Sequence, residues 1–189
     1  MASLTITEDS IPNLAGKTAV VTGGSSGIGL GAVQVLLDHN ARVFILDISK
    51  PPETLIHPNL THIETDISSW PALVKAFAVI TTVHKSAVDI AIANAGVFEH
   101  ELYANQCLVP LAADASAWSK LENEAPIYGC VEINLRGTLN FVQIAARIMK
   151  GQESGGSIVL TASVTAYLPE VMIPVYSATK AAVRPKLYP

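Results

Sequence analysis

The sequence predicts an α/β protein built on one doubly wound parallel sheet. Three observations carry that prediction. Short β-branched runs alternate with longer helical segments along most of the 189 residues. Several of those runs are apolar without polar alternation, the pattern of strands covered on both faces. The first of them leads into a glycine-rich turn that opens a helix.

The elements follow in order. Lys17 to Thr22 is the first strand, and Gly27 to His39 reads as the helix after it. Arg42 to Asp47 is a second strand, apolar through its middle, and Thr61 to Thr65 a weaker third. Ser69-Trp70-Pro71 opens a helix that runs to about Lys85, with a capping serine and an early proline that gives up no needed N–H. Asp89 to Ala93 is the fourth strand. Residues 97 to 125 carry no clean period and read as an irregular connection with a helical piece near Ala113 to Leu121. Pro126 starts the longest helix, with Ile127, Val131, Leu135, Leu139, Val142, Ala146 and Met149 as its apolar stripe. Ser157 to Ala162 is the fifth strand. Right-handed crossovers place the C-terminal strand ends, and any ligand, along one edge of such a sheet.

Composition bounds the function. The length fits one domain, residues 1–189, and half of the residues are apolar, enough for a substantial core. No run of about 18 uncharged apolar residues is present, so no membrane span is expected. The first residues lack the basic-then-apolar order of a signal peptide. A net charge of −4 with scattered Lys and Arg argues against nucleic acid as a partner. Cys107 and Cys130 are too few for a disulfide framework, and the five histidines form no ligand pair at helical spacing. A reducing, cytoplasmic setting without a metal site fits this usage.

The turn after the first strand reads Thr22-Gly23-Gly24-Ser25-Ser26-Gly27-Ile28-Gly29. Its glycines allow a tight turn and close backbone approach, and the following helix offers unpaired N–H groups and a positive dipole end to a pyrophosphate. A ligand-free glycine turn is the plainer reading. The flanking strand and helix favour a dinucleotide, as does Asp47, 18 positions beyond Gly29 at the end of the next strand. A carboxylate there accepts from both ribose hydroxyls and repels a 2′-phosphate, so NAD is expected rather than NADP.

Tyr176-Ser-Ala-Thr-Lys180 lies close to the end of the sequence. A Tyr and a Lys four apart on a helix project from one face. A phenol ordinarily ionises near pH 10, about three units too high for a base at neutrality. A neighbouring ammonium favours the ionised form, most strongly where water is excluded.

The glycine spacing is Gly-x-x-x-Gly-x-Gly, not the general Gly-x-Gly-x-x-Gly. Together with Asn94-Ala95-Gly96, Asn134 and the Tyr-Lys pair, it resembles the short-chain dehydrogenase/reductase family, from about Lys17 to Val183. The stretch from Ser163 through Pro174 to Tyr176 is similar to the branch that holds 15-hydroxyprostaglandin dehydrogenases and fungal alcohol oxidoreductases. The resemblance implies a Rossmann-type NAD(P)-binding domain. It further implies that Gly23, Ser25, Gly27, Ile28 and Gly29 form the pyrophosphate loop and that Asp66 and Ile67 contact adenine. Asn94, Ala95 and Gly96 would close the cofactor floor. Asn134 would hold a relay water, Ser163 would orient a secondary alcohol or ketone, Tyr176 would be the acid/base and Lys180 its partner on the nicotinamide ribose. Duller roles exist for each: a helix-start aromatic for Tyr176, a strand-end turn residue for Ser163, with Thr161 and Thr165 beside it, a helix-bend residue for Asn134, a turn residue for Asn94, and a solvated lysine for Lys180.

The family normally continues for about another quarter of its length, adding two strands, a covering helix and a substrate lid. Here Lys180 is followed by Ala-Ala-Val-Arg-Pro185-Lys-Leu-Tyr-Pro189, and the prolines stop the helix after about two turns. A C-terminally truncated chain is therefore expected, with the fifth strand as an exposed apolar edge and with any homo-oligomer altered. Two other functions stand beside an oxidoreductase of a small-molecule alcohol or ketone. One is a dinucleotide-binding remnant without turnover. The other is a partner subunit completing its sheet against another chain, for which Phe44, Trp70 and the open edge leave room.

Overall fold

Runs of Val, Ile, Leu and Ala form five parallel strands: β1 (Thr18–Thr22), β2 (Arg42–Asp47), β3 (Leu60–Glu64), β4 (Ile90–Ala93) and β5 (Ser157–Leu160). The structure, a computed structural model, describes residues 11–99, 118–119 and 128–184. The strand order is β3-β2-β1-β4-β5. Register sets Val20 against Phe44 and Ala91, Phe44 against Thr61, and Ala91 against Ile158. The order reverses between β1 and β4, so the C-terminal ends of these two strands flank the switch point where such sheets bind ligands. This is a Rossmann-type α/β arrangement. The chain divides into two units, Met1–Ala95 with Asn140–Thr161, which holds the sheet, and Gly96–Leu139 with Ala162–Pro189.

Apolar strands are fully covered only at the centre. All of β1 and the middle of β2 are buried. The edge strands are less covered: β3 is half-buried, and in β5, which the sequence leads one to expect as an exposed apolar edge, Val159 is 50% exposed. An edge strand has a neighbour on one side only, so its side chains lose cover at the rim. Across β1 and β4, Lys17 and Thr18 both donate to the Asp89 carboxylate, at 2.9 Å each.

Among the described residues, helix ends have identifiable causes. Helix α1 (Gly27–Asp38) ends at Asn40, whose φ of 68° is left-handed. The Asn40 N–H donates to Leu37 O and the Ala41 N–H to Leu36 O, both at 2.9 Å, the paired bonds of a Schellman cap. Its buried Val33, Leu36 and Leu37 pack with Ala19, Val21, Val43 and Ile45 of the sheet. Helix α2 (Trp70–Ala78) is capped by the Ser69 hydroxyl and carries Pro71 in its first turn, as its sequence predicts. It runs on as a π-helical turn, Val79–Val83, where the Thr81 and Thr82 hydroxyls donate back to Phe77 O and Ala78 O. Phe77 packs against Phe141 of helix α3 (Thr138–Lys150), ring centroids 5.4 Å apart. Helix α4 spans Pro174–Ala182.

The longest predicted helix needs correction. Pro126 and Ile127 lie outside the described residues, as does most of the helical piece near Ala113 to Leu121, of which Trp118 and Ser119 are helical. Gly129 and Cys130 are helical, Val131–Gly137 is π-helical and α3 completes the run. Of the expected stripe, Met149 is buried, but the rest of the buried face is different. Leu139 is 52% exposed, whereas Cys130, Asn134, Thr138, Phe141, Ala145 and Met149 are buried. Hydropathy counting passed over this face because two of its members are polar, and the π-helical turns shift the period from 3.6. The two faces separate in a stability measurement. Phe141→Ala is expected to cost about 3–5 kcal/mol in urea unfolding, and Leu139→Ala less than about 1 kcal/mol.

Candidate active site

In the sheet-bearing unit, the glycine loop is fixed by contacts that leave no space for a side chain at Gly23 or Gly29. Gly23 has φ of 65°, and a Cβ on it would lie 2.7 Å from the Ala95 Cα. A Cβ on Gly29 would run into the Gly23 carbonyl oxygen and lie 2.5 Å from Asn94 Nδ2. Asn94 holds the turn from the other side, Nδ2 donating to Gly23 O at 3.2 Å while Oδ1 accepts from Thr161 Oγ1 at 3.2 Å. Thr22 Oγ1 accepts from the Asn94 and Ala95 N–H groups at 3.0 and 3.1 Å. Asn94 is thus a turn residue and also a brace for the loop. Neither Thr22 nor Thr161 was expected to serve here; a hydroxyl at a strand end beside a glycine turn was the available signal.

The same loop presents unused donors. Ser26 caps α1 with an extended backbone but no side-chain bond, and Ser26, Gly27 and Ile28 are exposed. An exposed helix N-terminus behind a turn that only glycine can form suits an anionic group such as a pyrophosphate. At the end of β2, the Asp47 carboxylate accepts from the Ser25 N–H at 3.1 Å and the Ser49 N–H at 3.0 Å, and Ser25 Oγ donates to Ser49 O at 2.6 Å. A carboxylate has about four acceptor positions, so capacity remains for two more hydroxyls. Asp66 is exposed and accepts from the Ser68 N–H and hydroxyl, while Ile67 is buried.

The second unit holds Gly96, Asn134, Ser163, Tyr176 and Lys180, and it brings Gly96, Asn134 and Lys180 together beside Tyr176. Helix α4 carries Tyr176 and Lys180 one turn apart, with the Lys180 Nζ 5.8 Å from the Tyr176 ring centroid. Lys180 is only 4% exposed, so it is not a solvated helix lysine. Burial pushes its ammonium below the ordinary lysine value. A Cβ on Gly96 would stand 3.2 Å from Lys180 Nζ and 3.3 Å from Asn134 Oδ1, so the glycine is what lets these groups approach the chain. Asn134 is 1% exposed and clamps Val97, accepting its N–H and donating to its carbonyl, both at 2.8 Å, and reaches Thr179 Oγ1 at 3.3 Å. It sits in the π-helical turn, where a helix interrupts its regular bonding, frequently at functional sites.

Ser163 caps a short 3₁₀ turn, Val164–Ala166, its oxygen accepting from the Thr165 N–H at 3.2 Å and hydroxyl at 3.0 Å. Both bonds use its lone pairs, which leaves its own proton for another acceptor. Phe98 and Glu99, which the sequence reading did not select, flank Tyr176. The Phe98 ring packs on the Tyr176 ring with centroids 4.5 Å apart, and Glu99 Oε2 accepts the Tyr176 N–H at 3.1 Å. Both lie in the unpatterned connection, so no periodicity pointed to them. Burial, and then the Glu99 charge, push the Cys130 thiol up. Cys107 and most of residues 97–125 lie outside the described residues. Among the described residues no group of three or more His, Cys, Asp or Glu could hold a metal ion, and no helix is long and apolar enough to cross a membrane.

Comparison with known proteins shows the family of the chain. A family model described as short chain dehydrogenase matches residues 17–185. The short-chain dehydrogenase/reductase prx4 of Penicillium roqueforti is 41% identical over 180 residues, covering 95% of this chain and 50% of the relative. The NADP-dependent dehydrogenase clz5 of Cochliobolus lunatus is 29% identical over 187 residues, covering 90% of this chain and 63% of that protein. The chain thus spans about half the length of the first of these relatives. A crystal structure of a short chain dehydrogenase from Leptospira borgpetersenii with bound NAD+ superposes with a TM-score of 0.71 at 24% identity, over 97% of this chain and 66% of that one, a likeness of fold.

The buried ammonium has a pH signature. Its lowered value in the folded chain means that, from there up to the ordinary lysine value of about 10.4, the unfolded chain holds more protons. Stability due to this group therefore rises with pH in that window. Urea unfolding of the parent and of Lys180→Met at pH 7 and pH 10 is expected to show the difference moving in the parent's favour at the higher pH. A difference independent of pH contradicts the assignment.

Proposed function

The chain belongs to the short chain dehydrogenase family, and we propose that it transfers hydride between a nicotinamide dinucleotide and a secondary alcohol or the corresponding ketone, with Tyr176 as acid/base. The observation that carries the reading is the burial of Lys180 one helical turn from Tyr176, with Asn134 and Gly96 packed at the same place. A buried lysine is costly to keep charged, and it is tolerated where its charge has a use.

The glycine loop and the bare start of α1 suit a dinucleotide's pyrophosphate, and Asp47 suits an unsubstituted adenosine ribose. When bound, the dinucleotide supplies the hydride acceptor or donor. The chain's own residues handle the proton and the orientation. In the oxidising direction Ser163 donates its remaining proton in a hydrogen bond to the substrate oxygen. Tyr176 takes the hydroxyl proton as the carbinol carbon gives up its hydride. Lys180, its ammonium one helical turn from the phenol, would hold the nicotinamide ribose. Asn134, held rigid by its bonds to Val97 and Thr179, keeps a proton path to Lys180 in register. In the reducing direction each proton moves the other way.

The cofactor preference rests on Asp47. The Leptospira structure holds NAD+, while the Cochliobolus relative is named NADP-dependent. The carboxylate at this position favours NAD, since a 2′-phosphate would meet a like charge. Titration calorimetry is expected to give tighter binding of NADH than of NADPH by about tenfold or more. With a panel of cyclic and open-chain secondary alcohols, Tyr176→Phe is expected to lower turnover by about 10²-fold or more without changing NADH affinity. NADH binding with no turnover supports the dinucleotide-binding alternative; absence of binding by both dinucleotides removes both readings.

A further inference from the structure

The short helix that bears Tyr176 and Lys180 starts without a side-chain cap from its own N-cap residue. Pro174 has no N–H, and Ile173 stands at the cap position with a side chain that cannot accept a hydrogen bond. The Ser177 N–H reaches Ile173 O at 3.0 Å, the first bond of the ladder, which leaves the N–H groups before it without a partner in the helix, as at any helix start. The Tyr176 N–H falls in the gap, and it is taken by Glu99 Oε2 from 77 positions away. A carboxylate at a helix N-terminus is favoured both by the hydrogen bond and by the dipole. Glu99 is itself fixed from behind, because Asn134 pins both backbone groups of Val97 two residues earlier. Beside it, Phe98 packs on the Tyr176 ring. Glu99 Oε1 is buried without a hydrogen-bond partner. An unpaired buried carboxylate oxygen is costly, which argues that the other oxygen's bond has a purpose beyond packing.

We infer that Glu99 is a positioning residue for Tyr176: its carboxylate caps α4 at the backbone of that tyrosine and sets where the phenol stands. The inference rests on the proposed role of Tyr176 in hydride-transfer chemistry. Asn134, Val97, Glu99 and the Tyr176 amide form one bonded series, so the residue expected to serve the proton path also anchors the segment that holds the tyrosine. A shift of this cap would move the Tyr176 oxygen while leaving the pyrophosphate loop and Asp47 untouched.

The test compares the parent with Glu99→Ala and Glu99→Gln. Glutamine keeps an acceptor for the Tyr176 N–H, and alanine does not. Amide hydrogen exchange by NMR reads the contact directly. Glu99→Ala is expected to speed exchange at the Tyr176 amide about tenfold or more, and Glu99→Gln to restore most of the protection. Turnover of the alcohol panel is expected to fall about tenfold or more in Glu99→Ala, with NADH affinity unchanged within about twofold, and to recover in Glu99→Gln. General destabilisation would not give normal NADH affinity in the alanine variant together with recovered turnover in the glutamine variant. An unchanged Tyr176 amide in Glu99→Ala overturns the inference. So does normal turnover in that variant, or equal loss in both. A parent chain that binds NADH but turns over no alcohol sinks the oxidoreductase reading, and the exchange measurement then decides the Glu99 contact alone.

Discussion

The second unit depends on keeping one ammonium out of water. Lys180 is 4% exposed on a helix of nine residues, where an isolated lysine would stay in solvent. Its environment is built by neighbours that are small or fully satisfied. Gly96 has no side chain to block the Nζ, and Asn134 directs its amide to Val97 and Thr179. Asn134 itself reaches this place because the preceding helix widens into a π turn. A regular α-helix through Val131–Gly137 would change the angular position of every later residue. The polar residue, the helical irregularity and the glycine therefore meet at one place, around the buried ammonium.

The sheet-bearing unit solves a different problem by steric means. The loop from Thr22 to Gly29 folds so tightly that two of its glycines touch Ala95 or Asn94. Thr22 and Asn94 fill the turn with hydrogen bonds that in other turns would go to water. The result is a rigid rim at the switch point between β1 and β4, with exposed backbone at the start of α1. The apolar strands beneath it supply the stiffness, and Asp47 closes the rim at the end of β2 through the Ser25 and Ser49 backbone.

Much of this was legible in the chain. The span of β2 from Arg42 to Asp47, the Ser69 cap with Pro71, and the glycine loop follow from β-branched runs and local chemistry. The burial pattern of the long helix was not legible, because Asn134, its amide bonded to Val97 and Thr179, and Thr138 are buried while Leu139 is exposed. Hydropathy ranks those three in the opposite order. The burial of Lys180 was likewise invisible to composition and rests on tertiary neighbours. Glu99 was missed for another reason. It lies in a stretch without period, and its partner is a backbone N–H, a group that every sequence position except proline offers.

The most direct measurement follows the transferred atom. The protein is incubated with NADH deuterated at the reactive nicotinamide carbon and a panel of apolar ketones, and the alcohols are analysed by mass spectrometry. Deuterium on the carbinol carbon with the parent chain, and its loss with Tyr176→Phe although the variant still binds NADH, is the predicted result. Equal deuterium transfer by both proteins, or none by a parent chain that demonstrably holds NADH, would contradict the account.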